Sequence, residues 1–309
     1  MDKEQSSIEL IKMAADISLR YYKKPIVCTY SGGKDSDVLL ELFLRSGVIF
    51  EVHNSHTTAD APQTVYHIRE KFQQLDEKGI KCTIGKPKLS MWQLIPQKKI
   101  PPTRLARYCC SYLKETACKN RLISTGVRWD ESNARRERGV MEIVTIKKKD
   151  KIVLQRNDIY EGYNENRQLS LLGTDGTGEI MLMSDNSEKR LLFEQCLSKE
   201  KSVCNPIVNW KTQELWDYIE SERIMVNPLY ERGFTRIGCI GCPMAGRNRY
   251  FEFSVFPKYK QMYLNAFKIM LHRLWESGAK TVWRNEHDVF KWWMEEKILD
   301  GQISIEDFE

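Results

Sequence analysis

Ser31-Gly32-Gly33-Lys34-Asp35-Ser36 follows the apolar run Pro25-Ile26-Val27-Cys28-Thr29-Tyr30 and opens Asp37-Val38-Leu39-Leu40-Glu41-Leu42-Phe43-Leu44. The order reads as strand, glycine turn, helix start. Two glycines let a backbone approach a ligand with no side chain in the way. The N–H groups and dipole of the helix start then favour an anion. Lys34 adds a cation, and Ser31 and Ser36 add short donors. The string is therefore a candidate phosphate site. It departs from the pattern G-x-x-x-x-G-K-[ST], which leaves a P-loop kinase or ATPase reading weak.

Outward from this turn, strands and helices alternate. Residues 5–23 form an amphipathic helix with Leu10, Ala14, Ile17 and Tyr21 on one face. Strands are expected at 25–30, 48–52, 80–84 and 122–126. Helices are expected from the turn to Ser46, from Pro62 to Gly79 and over 110–120, with a short one around Met91–Leu94. This spacing implies an α/β, doubly wound parallel sheet of Rossmann-like type. Ligands of such sheets bind beyond the carboxyl ends of the strands, where the Ser31–Ser36 turn falls. The expected organisation is a nucleotide-binding core over 1–141 and an insertion over 142–191. The core is completed over 192–250 and followed by a helical region over 251–309. The insertion holds a hairpin around Lys148-Lys149-Asp150 and a loop with Gly173, Gly176 and Gly178. The last region carries Trp275, Trp283, Phe290, Trp292 and Trp293, read as packing.

The chain has 309 residues, a net charge of +6 and nine cysteines. No stretch approaches the ~20 apolar residues of a membrane span, and the N-terminus shows no apolar signal core, so the expected location is cytoplasmic. Basic residues gather between Lys98 and Lys151, a surface suited to a nucleotide, a sulfate or nucleic acid. An odd, clustered set of cysteines in a reducing compartment points to metal ligands or catalytic groups. Two pairs stand out, Cys109-Cys110 and Cys239-Ile240-Gly241-Cys242. Four thiolates from two distant segments can hold zinc or an iron–sulfur cluster. Adjacent cysteines chelate tetrahedral zinc with difficulty, which favours iron–sulfur. Cys28, Cys82, Cys118, Cys196 and Cys204 have no partner motif.

A third segment is Gly126-Val127-Arg128-Trp129-Asp130-Glu131-Ser132-Asn133-Ala134-Arg135. Arg128 and Arg135 suit phosphate or sulfate oxygens through forked donors, and Glu131 can orient them. A fourth is Asn205-Pro206-Ile207-Val208-Asn209-Trp210, followed by Asn227-Pro228-Leu229-Tyr230, read as structural.

The six-residue turn resembles the pyrophosphate loop of the ATP pyrophosphatase (adenine nucleotide alpha hydrolase-like) superfamily. The turn, the two cysteine pairs and the Gly126–Arg135 segment together resemble the phosphoadenosine phosphosulfate reductase family within it, over roughly residues 20–250. That resemblance implies that Ser31, Gly32, Gly33, Lys34 and Ser36 hold pyrophosphate, with Asp35 near a Mg²⁺ ion. It implies that Gly126, Arg128, Glu131 and Arg135 face the nucleotide. Lys34, Asp35, Arg128 and Arg135 are then the catalytic candidates. It also implies a four-iron four-sulfur cluster on Cys109, Cys110, Cys239 and Cys242.

Reductases of the family carry a nucleophilic cysteine near the C-terminus and a degraded loop. This sequence has neither, because its last cysteine is Cys242 and its loop is intact. The expectation is therefore an ATP-splitting enzyme that adenylates a substrate for sulfur transfer. Motif by motif it resembles the ATP-hydrolysing sulfur-transfer branch that acts in DNA phosphorothioation. ATP, Mg²⁺, a sulfur donor such as a cysteine desulfurase, and a nucleic-acid acceptor are the implied partners. A sulfonucleotide reductase and a non-catalytic nucleotide- or nucleic-acid-binding component of a larger complex are the alternatives.

Overall fold

The computed structural model describes residues 2–114, 117–132, 135–136, 138–144, 152–154 and 201–295. The Lys148–Asp150 turn, the glycine loop at 173–178, Asn133, Ala134, Cys196 and the tail from 296 lie outside the described residues.

Among the described residues seven strands form one sheet: β1 (Ile26–Thr29), β2 (Phe50–Ser55), β3 (Cys82–Gly85), β4 (Leu122–Ser124), β5 (Met141–Val144), β6 (Ile152–Leu154) and β7 (Lys201–Cys204). Their order is β3-β2-β1-β4-β7-β5-β6. β1 runs parallel to β2 and β4, and β4 runs parallel to β7. Hydrogen bonds from Val52 N–H to Lys81 and from His56 N–H to Gly85 step in the same direction, so β3 is parallel too. The parallel sheet expected from the alternating pattern is present, and β7 adds a fifth parallel strand to the four that the pattern marks. Its order reverses between β1 and β4, which is the topological switch of a doubly wound sheet. β5 pairs antiparallel with β7 and with β6, so the hairpin foreseen near residues 142–155 continues the sheet at its edge.

The chain divides into two compact units. The first comprises Met1–Asn54, Gln63–Ile84 and Cys118–Thr235; the second comprises Ser55–Pro62, Gly85–Ala117 and Arg236–Glu309. In the first, Ile26 and Cys28 of β1 and Leu122 of β4 join a core with α1 (Lys3–Ile17), α2 (Lys34–Ser46), α3 (Pro62–Glu77) and α6 (Thr212–Ser221). Alternate strand positions Val27, Ile123 and Val203 form a separate small cluster, as a period of two requires. α2 buries Val38, Leu39, Leu42 and Phe43 on one face and stops at Gly47, whose φ is +68°.

The second unit contains α4 (Met91–Lys98), α5 (Tyr108–Leu113), α7 (Asn248–Val255), α8 (Pro257–Glu276) and α9 (Glu286–Glu295). Its centre is aromatic. Trp293 lies 4.6 Å from Tyr263 and 5.4 Å from Phe267 between ring centroids, and its indole N–H donates to the Pro102 carbonyl at 2.6 Å. Trp293 and Phe290 therefore pack, whereas Trp275 is 45% exposed. No helix among the described residues is long and apolar enough to cross a membrane.

Candidate functional site

The turn after β1 and the loop after β4 flank the switch between these two strands. Two glycines set their approach. Gly32 has φ +73°, and a Cβ there would meet Ile68 Cγ1 at 2.9 Å. A Cβ on Gly126 would stand 2.9 Å from the backbone oxygen of Asp35, so only glycine lets the β4 loop pass the start of α2 this closely. Gly126 thus serves as clearance. Gly126→Ala must push that loop away from the start of α2, and it should lower stability by about 1–3 kcal/mol, the usual cost of overpacking. Thermal melting measures it, and an unchanged midpoint refutes the clearance role.

Ser36 turns back on its own loop. Its hydroxyl accepts from Gly33 N–H at 3.1 Å and donates to Gly33 C=O at 2.7 Å. Ser36 therefore caps the turn from the inside. Ser31 Oγ lies 3.4 Å from Ser36 Oγ. Asn227, 195 residues away from Gly32 in sequence, donates through Nδ2 to the Gly32 carbonyl at 2.9 Å and to Thr64 Oγ1 at 3.1 Å. It is fully buried.

The charges converge on Asp35. Lys34 Nζ donates to its Oδ2 at 3.0 Å, and Arg128 Nε donates to its Oδ1 at 2.5 Å. Arg128 is 1% exposed and also donates to the Trp210 carbonyl and to Thr212 Oγ1. Lys34 is 8% exposed. Two buried cations thus share one carboxylate at a helix start, where the dipole adds partial positive charge. Asp130 lies 3.9 Å from Arg128 Nη1, but its Oδ2 accepts from the N–H and hydroxyl of Thr212. Arg135 pairs with Glu131, which also accepts from the Arg128 backbone N–H at 3.0 Å. The candidates Lys34, Asp35, Arg128, Glu131 and Arg135 are therefore linked into one network.

Behind the turn lies a network that the sequence reading does not single out. The Tyr30 hydroxyl donates to Asp37 Oδ1 at 2.5 Å, and His67 Nε2 lies 3.0 Å from the same oxygen. Burial, then the Asp37 carboxylate, hold the Tyr30 phenol well above its ordinary range. Tyr230, structural by its sequence context, also reaches the turn. Its hydroxyl accepts from the Lys34 backbone N–H at 2.9 Å. His67 and Tyr230 lie too far from the turn in sequence for any local pattern to pair them with it.

The four cysteines lie in the second unit, and the structure brings them within electrostatic reach of one another. Cys109 and Cys110 sit on α5, and Cys239 and Cys242 on a turn closed by Cys242 N–H to Cys239 C=O at 3.2 Å. That turn is fixed on both sides. Ile240 N–H donates to Ala59 C=O at 2.8 Å, and Gly241 N–H donates to Glu252 Oε2 at 2.7 Å. Cys239 Sγ donates to Thr57 Oγ1 at 3.3 Å. A hydrogen bond from Cys109, aided by Arg107, draws the Cys110 thiol down, and the same bond pushes Cys109 up. Burial raises the Cys239 thiol to about 11 against the pull of Lys114. Lys114 is raised in turn by attraction to Cys239, then Asp60, Cys110 and Cys242. A four-sulfur donor set beside Lys114 and Arg107 has the chemistry for an iron–sulfur cluster or zinc. Among the described residues no group of three or more His, Cys, Asp or Glu side chains is arranged as a metal site.

Residues 25–245 match the phosphoadenosine phosphosulfate reductase domain family, more than two thirds of the chain. An uncharacterised protein of Methanocaldococcus jannaschii is 26% identical over 272 residues, covering 86% of this chain and 46% of that protein. The adenosine 5'-phosphosulfate reductase of Burkholderia cepacia is 32% identical over 82 residues, 26% of this chain and 33% of that enzyme. The chain thus spans less than half the length of these curated relatives. The phosphoadenylyl-sulfate reductase of Candida auris aligns at a TM-score of 0.43 with 15% identity, over 76% of this chain and 88% of that one.

Proposed function

The chain belongs to the phosphoadenosine phosphosulfate reductase domain family, and from that premise we propose that it is an ATP pyrophosphatase that adenylates an acceptor oxygen for replacement by sulfur. One observation carries the reading. An intact Ser31–Ser36 turn lies at the β1/β4 switch, with Lys34 and Arg128 both on Asp35. A site that only recognises an anion has no need of a carboxylate between its two cations. A site that handles a metal-bound polyphosphate does, because Asp35 can take the accompanying Mg²⁺ while Lys34 and Arg128 turn to phosphate oxygens.

In this reading an acceptor oxygen attacks the α-phosphorus, its bond to phosphorus forms, and the bond from α-phosphorus to the bridging oxygen breaks. Pyrophosphate leaves with that electron pair, and Lys34 and the loop amides stabilise its charge. Arg128, locked by Trp210 and Thr212, orients the α-phosphate. A sulfide donor then forms the bond from acceptor carbon or phosphorus to sulfur, and AMP leaves with the acceptor oxygen; a persulfide donor would instead leave a disulfide, which a second thiol must reduce to release the thiolated acceptor. Cys109, Cys110, Cys239 and Cys242 would hold a four-iron four-sulfur cluster, which supplies sulfur-binding or electron-transfer chemistry when bound; zinc is the less fitting occupant. A nucleic acid is the acceptor class that the basic residues between Lys98 and Lys151 suit.

Incubation with ATP, Mg²⁺ and candidate acceptors should yield AMP and pyrophosphate. ADP with phosphate overturns the reading. The similarity to adenosine 5'-phosphosulfate reductase favours one alternative, reduction of a sulfonucleotide. Sulfite released from adenylyl sulfate in the presence of a thiol would establish it.

A further inference from the structure

Tyr230 stands at the phosphate turn with half of its hydroxyl unused. Its oxygen accepts from the Lys34 backbone N–H, the first of α2, at 2.9 Å. Its own hydrogen meets no acceptor among the described residues. The Lys34 ammonium lies 5.9 Å from the ring centroid. The ring is held in place by Trp216, edge-on at 5.3 Å. Its backbone is held by a bond from Tyr230 N–H to the Asn227 carbonyl at 3.1 Å. Asn227 in turn grips the turn itself through Gly32. Three neighbouring amides are committed internally: Gly33 N–H to Ser36 Oγ, and Ser36 and Asp37 N–H to the Gly33 carbonyl.

We propose that Tyr230 is an anion-binding residue of the phosphate site, relaying the first amide of α2 through its hydroxyl to a phosphate oxygen. The inference rests on the reading of Ser31–Ser36 as a pyrophosphate site and adds a ligand to it from a segment 194 residues on from Ser36. An amide that donates to a phenol oxygen polarises the phenol hydrogen and makes it a stronger donor. An anion is the acceptor that gains most from such a donor. Burial, and the carboxylates of Asp35, Asp37 and Glu131, keep the phenol above its ordinary range against the opposing bond from Lys34 N–H, so the hydrogen stays in place at neutral pH. The relay also explains why a tyrosine should sit where a buried apolar ring would pack against Trp216 equally well.

The test is calorimetric titration of the full chain with inorganic pyrophosphate, for wild type and Tyr230→Phe, which keeps the ring and its packing. Loss of one hydrogen bond to a charged group should weaken binding by about ten- to a hundredfold. Affinity within twofold of wild type would show that the hydroxyl does not reach the anion. Tighter binding by Tyr230→Phe would show that the hydroxyl competes for the amide; either result overturns the proposal. Trp216 gives a second readout on the unmutated residue. Pyrophosphate should change the tryptophan fluorescence of wild type, and the change should shrink in Trp216→Phe. Calorimetric binding without such a difference also overturns it. If wild type itself binds no pyrophosphate, the phosphate-site reading falls and takes this inference with it, a result distinct from failure of the variant alone.

Discussion

Lys34→Ala should slow pyrophosphate release from ATP by about 10²- to 10³-fold, the usual cost of removing one donor from developing negative charge. It should leave the melting midpoint within a few degrees of wild type. The asymmetry of the Asp35 pairings supports both halves. When Lys34 is truncated, Asp35 keeps Arg128 at 2.5 Å, so no carboxylate is stranded. The Lys34 backbone N–H that donates to Tyr230 also survives. Arg128→Ala should behave differently. Arg128 is 1% exposed, and it ties Asp35 to the Trp210 carbonyl and the Thr212 hydroxyl. Removing one partner of a buried ion pair costs roughly 3–5 kcal/mol. Asp35, at 19% side-chain exposure, keeps some water, so the lower end applies. Arg128→Ala should therefore lose activity and stability together, measured by pyrophosphate assay and thermal melting. Equal destabilisation by the two variants would show that the turn holds the fold rather than a phosphate.

The contrast between these two residues also marks what could be read from the sequence. Lys34 belongs to a run of six residues whose chemistry is local. A positive φ at Gly32, the Ser36 cap and the helix dipole are all consequences of neighbours in sequence. The alternation of strands and helices is equally local, and it implies the parallel sheet that is present. Arg128 could be suspected as an anion ligand, but not as the partner of Asp35, because that pairing depends on the β1/β4 switch and on Gly126.

Tyr230, Asn227 and His67 are less accessible still. Each looks like an ordinary packing residue in its own segment. Each acquires its role only when the fold delivers it to the turn. Element ends fail for a related reason. The helix expected over 110–120 stops at Leu113, and Cys118 and Asn120 have φ values of +57° and +53°, which no right-handed helix accommodates. β2, expected at 48–52, runs over Phe50–Ser55. Its last residues, His53, Asn54 and Ser55, are polar, and main-chain pairing rather than apolar periodicity keeps them in the strand. His53 pairs in register with Thr29 of β1, and Tyr30 N–H donates to the His53 carbonyl at 2.8 Å.

The second large effect is expected at the cysteines. Anaerobically reconstituted protein should be brown, with broad absorbance near ~400 nm and about four irons per chain, as a four-iron four-sulfur cluster on four thiolates requires. Cys239→Ser should abolish both signals without unfolding the second unit, because the Cys239–Cys242 turn does not depend on a metal to hold its shape. Ile240 N–H and Gly241 N–H are anchored on Ala59 and Glu252, and the Tyr263 hydroxyl donates to the Ile240 carbonyl at 2.9 Å. Serine replaces sulfur by a smaller, harder donor in a site only 9% exposed, so a loss of colour reports ligation rather than collapse. Cys109→Ser should match it, since the other three cysteines all lie within electrostatic reach of the Cys109 thiol. Cys204→Ser is the control: Cys204 is buried in the core of the first unit, outside the four-thiol set, and its substitution should leave the colour intact. A colourless preparation carrying about one zinc per chain would replace the cluster with a structural metal site. Full colour in Cys239→Ser would remove that residue from the ligand set altogether.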